Sequence, residues 1–308
     1  MVASTKLSAS AVLALIFFNV SGGPLGSEQI VAYGGPLPGL AALVAFAFAF
    51  ALPQALITAE LSAAFPSNGG YSIWAREAFG DFVAVQGSFW GWTSGVIDSA
   101  LYPALLYSAA SKTALFDWLP TSSSAGGGVG SWNEYLAKLV LLILFSLPTL
   151  VSSRAVGNGL VVLGFLVMAP YVVIVLIAVP HLNPSNLLEK PKRFRPFEAL
   201  GVIFWSLTGF DSASTYAGEV DRPQKTMPRV LIFAVFFQVC CYVLPLSFAA
   251  MVDANWMSWT EGSLTDVAAK EIGGGKWLAT WTLISAVSEK QNFSTCPTIF
   301  EELVVISK

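Results

Sequence analysis

The chain has 308 residues, of which 55% are hydrophobic and 11% charged, and its formal net charge is −3. Soluble domains carry about 25% charged residues. The deficit, together with several runs of about 20 apolar residues, excludes an ordinary soluble domain and predicts an all-α polytopic membrane protein.

Span one, about residues 7–33, is interrupted at its centre by Asn19-Val20-Ser21-Gly22-Gly23-Pro24-Leu25-Gly26-Ser27-Glu28. Gly22 and Gly23 favour unwinding, and Pro24 removes an N–H and clashes with the preceding turn. In lipid, freed backbone groups cost several kcal/mol each unless something polar meets them. The interruption is therefore a broken helix whose loose amides and carbonyls face a ligand, or a proline kink packed against its neighbours. A tight turn at 34–38 leads to span two, about 40–65, with Gln54 and Glu60 in its second half. A second turn at 66–71 opens a short amphipathic helix, 72–79, expected to lie at the membrane interface. Span three, about 82–110, is aromatic in its first half and holds Asp98 near its middle. A Ser/Gly-rich loop at 121–130 precedes spans four (135–151) and five (156–179).

A basic loop, 181–196, precedes span six, about 197–218, with Ser206-Leu207-Thr208-Gly209-Phe210-Asp211-Ser212 near its centre. A charged connection follows, and Pro228 is expected to mark the start of span seven, about 230–252. In the mixed loop 253–275, Trp256 and Trp259 are expected to anchor at the interface. An eighth apolar run begins at Lys276 and fails at Ser288-Glu289-Lys290, which leaves about a dozen apolar residues where a span needs about 20. Residues 1–287 thus read as a transmembrane domain of seven full spans and a partial eighth, and 288–308 as an atypical polar tail. A resemblance set out below places the N terminus on the cytoplasmic side. The basic loop 181–196 then falls outside, against the positive-inside bias.

The interruptions of spans one and six are in register. Each is followed by a small-acidic pair, Ser27-Glu28 and Gly218-Glu219, and then by a proline, at a constant offset of about 190 residues. Interrupted segments in corresponding positions of two halves point to an inverted-repeat transporter, with its binding site at the breaks. This favours the broken-helix reading over the kink.

Asp211 sits in the second break. An acid inside a spanning segment is a functional candidate, because burying it unpaired costs several kcal/mol. Structural pairing with the broken backbone is the alternative. Asp98 either serves a ligand or bonds locally beside Ser94, Gly95 and Ser99. Glu28 and Glu60 lie nearer span ends, where cap and loop contacts are expected. Trp90, Trp92 and Trp205 either stack on a cation or pack among helices. The two acids and an aromatic wall suit an organic cation. Half-helix N-termini at Gly22-Gly23 and Thr208-Gly209 suit a carboxylate, and an amino acid uses both features. Cys240 and Cys241 read as small membrane hydrophobes. No metal-ligand spacing, phosphate loop or nucleophile with a base is present in the sequence. No enzyme activity, cofactor or nucleic-acid partner is expected.

Three motifs carry a resemblance. SGGPLGSE (21–28) resembles the glycine-rich unwound segment of the amino acid–polyamine–organocation superfamily. FPSNGGYSIWAREAFG (65–80) is similar to its second-to-third span connection. FDSASTYAGEVDRPQKTMPR (210–229) looks like the sixth-span break and following loop of eukaryotic polyamine transporters. The resemblance covers about residues 7–286 and lies closest to the polyamine uptake and L-type amino acid branches. It implies a leucine-transporter-type fold of inverted five-helix repeats, and secondary active transport by alternating access, coupled to protons, at the plasma membrane. Carried over position by position, it implies that Ser21, Gly22, Gly23 and Pro24, with Thr208, Gly209, Phe210 and Asp211, line the substrate site, to which the reading of the residues adds Trp205 as a stacking candidate. It also implies that Asp98 faces that site. The partners implied are an organic cation or amino acid, a coupling proton and the lipid bilayer.

Two departures bear on this reading. The family pattern stops near Val287, so the second repeat is expected to be incomplete and the sequence truncated at its C terminus. Span five lacks the lysine that some proton-coupled relatives use, which leaves Asp211, Asp98 or Glu28 as the proton-carrying candidates. The rival readings are an L-type neutral amino acid exchanger, an inactive fragment, and a seven-span receptor. The paired breaks argue against the receptor.

Overall fold

The computed structural model describes residues 6–20, 23–110, 132–146, 153–260 and 262–270, with 277, 278, 281, 282 and 285. Among these residues the regular elements are helices, and one isolated parallel bridge joins Leu7 to Val220. The protein is all-α. The polar tail 288–308 lies outside the described residues.

Span one is two helices, α1 (Ala9–Val20) and α2 (Glu28–Gly34). Span two is α3 (Pro36–Ala64). The amphipathic helix is α4 (Gly70–Phe79), and span three is α5 (Asp81–Ala110). Spans four and five are α6 (Trp132–Ser146) and α7 (Ser153–Ala178). Span six starts as α8 (Pro196–Ser206) and continues, past the break, as a 3-10 segment (Phe210–Glu219). Span seven is α9 (Pro223–Val252). Within the following loop lies α10 (Ser263–Lys270). Segments Pro36–Ala64, Val156–His181 and Pro223–Val252 are each long and apolar enough to cross a membrane.

The composition of each element explains its place. Helix α1 is apolar on every side, and a helix of that kind belongs in an interior. Ala11, Val12, Ile16 and Phe18 are all buried, and the helix packs against α7, α9 and the 3-10 segment. Lipid tails supply little hydrophobic drive for helices to associate, so close contact at small residues matters more. A Cβ on Gly39 would stand 2.6 Å from the Ile30 carbonyl oxygen, and one on Gly157 would stand 2.9 Å from the Ala11 methyl. These glycines let α3 meet α2 and α7 meet α1 closely.

One turn of α3, Ala47–Ala51, is a π turn. Pro53 follows at once. A proline inside a helix has no N–H to give the carbonyl four residues back and clashes with it, so the preceding turn widens.

The two interrupted spans run side by side in opposite senses. Helix α1 lies on the 3-10 segment, and α2 lies on α8. At one end Leu7 N–H donates to Glu219 O (2.7 Å), and Lys6 Nζ donates to Gly218 O (2.9 Å). The turn before α4 joins them: Gly218 N–H donates to Asn68 Oδ1 at 3.1 Å, and Asn68 Nδ2 to Glu219 Oε1 at 3.4 Å. At the other end Arg195 N–H donates to Tyr33 O (3.0 Å), with the guanidinium 4.4 Å from the Tyr33 ring centroid.

Two expectations are corrected. Helix α9 begins at Pro223, a residue whose missing N–H costs nothing at the first helical position, so Pro228 lies inside the helix. Trp256 and Trp259 are buried rather than set at an interface. Asp253 takes the Trp259 indole N–H at 2.7 Å and the Asn255 N–H at 2.7 Å, which folds this loop around an internal acceptor.

Candidate functional site

The first break opens where α1 ends at Val20 and closes at Glu28. Ser21 and Gly22 lie outside the described residues. Gly23 and Pro24 are buried. Ser27 turns the backbone, its hydroxyl donating to the Pro24 carbonyl and its N–H to the same oxygen at 3.2 Å. Glu28 is buried completely, and its carboxyl accepts two backbone N–H groups. Gly26 donates to Oε2 at 2.6 Å, and Gly262 donates to Oε1 at 3.0 Å from the loop before α10. The loop contact expected of Glu28 is thus present, and it joins the first break to a segment more than 200 residues away.

The second break starts after Ser206. The Tyr242 hydroxyl donates to the freed Ser206 carbonyl at 3.1 Å. Gly209 then takes φ +105°, a backbone conformation that strains any residue with a Cβ. A Cβ there would also stand 3.4 Å from Asn19 O, so the backbones of the two breaks pass close to one another. The backbone resumes as 3-10 rather than α because its short hydroxyl side chains bond back three residues. Ser212 donates to Gly209 O (2.6 Å), Ser214 to Asp211 O (2.6 Å) and Thr215 to Ser212 O (2.7 Å).

Polar groups tie the breaks together. Asn19 Nδ2 donates to Ser212 Oγ at 3.1 Å and also to the Tyr216 hydroxyl. Asp211, half-buried, accepts from Gln54 Nε2 of α3 at 3.2 Å. Among the described residues no basic side chain lies within 4.0 Å of Asp211. Phe210 is fully buried, and Thr208 is half-buried. Trp205 is 59% exposed, its ring 3.7 Å from where a Cβ on Gly26 would sit. It leans across from the second break to the first.

Of the residues singled out in the sequence, Pro24, Gly209, Phe210 and Asp211 sit in the two breaks, and Trp205 spans them. Asp98 falls on α5, and its side chain lies outside the described residues. Trp90 and Trp92 pack against Phe89 on their own helix. Sequence reading gave no site role to Asn19, Gln54 or Tyr216. A signal existed for Gln54, an amide in a spanning helix directly after a proline. Tyr216 and Asn19 carry none, since only the fold places them together.

These features define a multi-pass α-helical integral membrane protein with a polar centre where two interrupted spans meet. The chain belongs to the amino acid permease family, whose model matches residues 7–288. It is similar to a probable polyamine transporter of Arabidopsis thaliana, 38% identical over 92% of this chain and 57% of that protein. It is similar to Polyamine transporter PUT1 of Oryza sativa subsp. japonica, 37% identical over 88% of this chain and 49% of that one. A more distant relative is the Aspartate-proton symporter of Bacillus subtilis (strain 168), 23% identical over 75% of this chain and 46% of that one. The chain spans about half the length of the curated relatives it matches. The family is one of permeases, not enzymes.

Proposed function

We propose that this protein holds the substrate site of a plasma-membrane permease for polyamines, working by alternating access between two inverted halves and driven by protons. The observation that carries the reading is Asp211. It is an acid at a helix interruption, half-buried, with an amide donor beside it and no basic partner within ion-pair range among the described residues. An acid so placed is costly unless a cation meets it. The relatives named as polyamine transporters support an amine as that cation.

Contacts at the two ends of the broken pair support alternating access. Lys6, Leu7, Asn68, Gly218 and Glu219 close one end. Tyr33 and Arg195 join at the other. Opening one set while the other holds would expose the centre to one side at a time.

A second reading, amino acid transport, is favoured by the backbone amides at the start of the 3-10 segment, because helix N-termini receive carboxylates. Uptake of radiolabelled putrescine, spermidine and leucine, in transport-deficient cells with a tag reporting expression, separates the two. The polyamine reading expects saturable amine uptake that Asp211→Asn abolishes and that an inward proton gradient accelerates. Leucine uptake without amine uptake selects the second reading. Amine uptake unchanged by Asp211→Asn at subsaturating substrate removes the role of Asp211.

A further inference from the structure

A carboxylate accepts hydrogen bonds and donates none. The amide of Gln54 must therefore turn its NH2 toward Asp211, and Nε2 lies 3.2 Å from Oδ1. That contact fixes the other end of the amide. Gln54 Oε1, on the same amide carbon as Nε2, is buried and has no hydrogen-bond donor among the described residues. Leaving such an acceptor unmet is unfavourable, and α3 has buried alanines at Ala51 and Ala55 on either side where an apolar residue fits. The amide stands in the first turns after the π turn Ala47–Ala51, and π turns recur at functional sites.

We propose that Gln54 is a substrate-binding residue: its Oε1 and the Asp211 carboxyl form a two-acceptor seat for one ammonium group of the substrate. The assignment rests on the amine-carrier reading above and deepens it. An ammonium fits because it offers three N–H donors and no acceptor. A carboxylate offers no donor to either group, and a hydroxyl offers one. The positive charge answers Asp211, and an N–H answers Gln54. The same residue thus holds Asp211 through its nitrogen and reads the substrate through its oxygen. The selectivity is for primary amines over cations that lack an N–H.

The test is displacement of bound radiolabelled spermidine from the purified protein in proteoliposomes. The competitors are putrescine and its permethylated analogue, a bis-quaternary ammonium without N–H groups. Gln54→Met removes the acceptor at nearly constant size. It is expected to weaken putrescine by about tenfold or more, while the permethylated competitor moves by no more than roughly twofold. Gln54→Glu keeps an acceptor oxygen and is expected to retain putrescine. Equal weakening of both competitors in Gln54→Met would show that Gln54 acts only by holding Asp211, and would overturn the seat. Equal loss of putrescine in the Met and Glu variants overturns it as well, with folding checked by gel filtration and Tm. Spermidine binding that ignores Gln54→Met overturns the seat and leaves the carrier reading standing. Failure of the wild-type protein to bind spermidine overturns the carrier reading itself.

Discussion

The two interruptions meet the same demand by opposite means. The first is held from a distance: one buried carboxyl, Glu28, gathers an N–H from its own turn and another from Gly262. The second is held locally, by a run of hydroxyls that bond back three residues along a 3-10 segment. The first break is therefore tied to the loop before α10, while the second adds bonds of its own to those it receives from Tyr242, Asn19 and Gln54.

The sharpest way to break that contrast is Glu28→Leu. It strands two backbone N–H groups in a buried place, each costing about 1–3 kcal/mol, so a loss of about 3 kcal/mol or more is expected in thermal unfolding of the solubilised protein. Hydrogen exchange should quicken across residues 253–270 and remain slow across the 3-10 segment. Equal quickening of both would show that the two breaks are not held separately. Glu28→Gln keeps one acceptor and should lose about half as much.

Asn19→Leu comes next. Its amide supplies two hydrogen bonds between the breaks, to Ser212 and Tyr216. Replacement leaves two hydroxyls without that donor, for an expected loss of about 2 kcal/mol. Transport should suffer more than stability, since the centre of the broken pair loses its link while both end seals remain. Gly209→Ala ranks third. A Cβ at φ +105° and 3.4 Å from Asn19 O strains the backbone by about 1–2 kcal/mol. The test is its effect on amine uptake against that of Gly201→Ala, a helical control with open space around it.

Much of the fold was legible because lipid makes strong demands. Glycines and a proline inside an apolar run mark a place where backbone bonds fail, which exposes the first break, and the second stands out by its register with the first. The acid in the second break was found because an intramembrane carboxyl is expensive. What the sequence hid was pairing across the fold. Asn19 and Tyr216 look like ordinary polar residues in their own segments, and their bond exists only because the two spans run in opposite senses. Trp256 and Trp259 were misread for a related reason. Tryptophan near a span end is usually an interfacial anchor, but here Asp253 satisfies an indole inside a folded loop. The 3-10 form of Phe210–Glu219 was legible in principle. Ser212, Ser214 and Thr215 crowd one short stretch, and hydroxyls so placed compete with regular helix bonds.

The smallest effects test how far the second break is self-contained. Ser212 is where the local and the long-range systems touch: it donates to Gly209 O and accepts from Asn19. Ser214 has the same local bond to Asp211 O and takes no part in the Asn19 contact. Ser214→Ala should cost about 0.5–1 kcal/mol, the worth of one ordinary hydrogen bond. Ser212→Ala should cost about 1 kcal/mol more when Asn19 is present and the same as Ser214→Ala when Asn19 is leucine. A double-mutant cycle on Asn19 and Ser212, read by thermal unfolding, measures that difference. A coupling near zero would mean that the breaks pass close without acting on one another. A coupling of about 1 kcal/mol would mean that any motion of the first break is felt at Gly209, one residue before the buried Phe210 and two before Asp211.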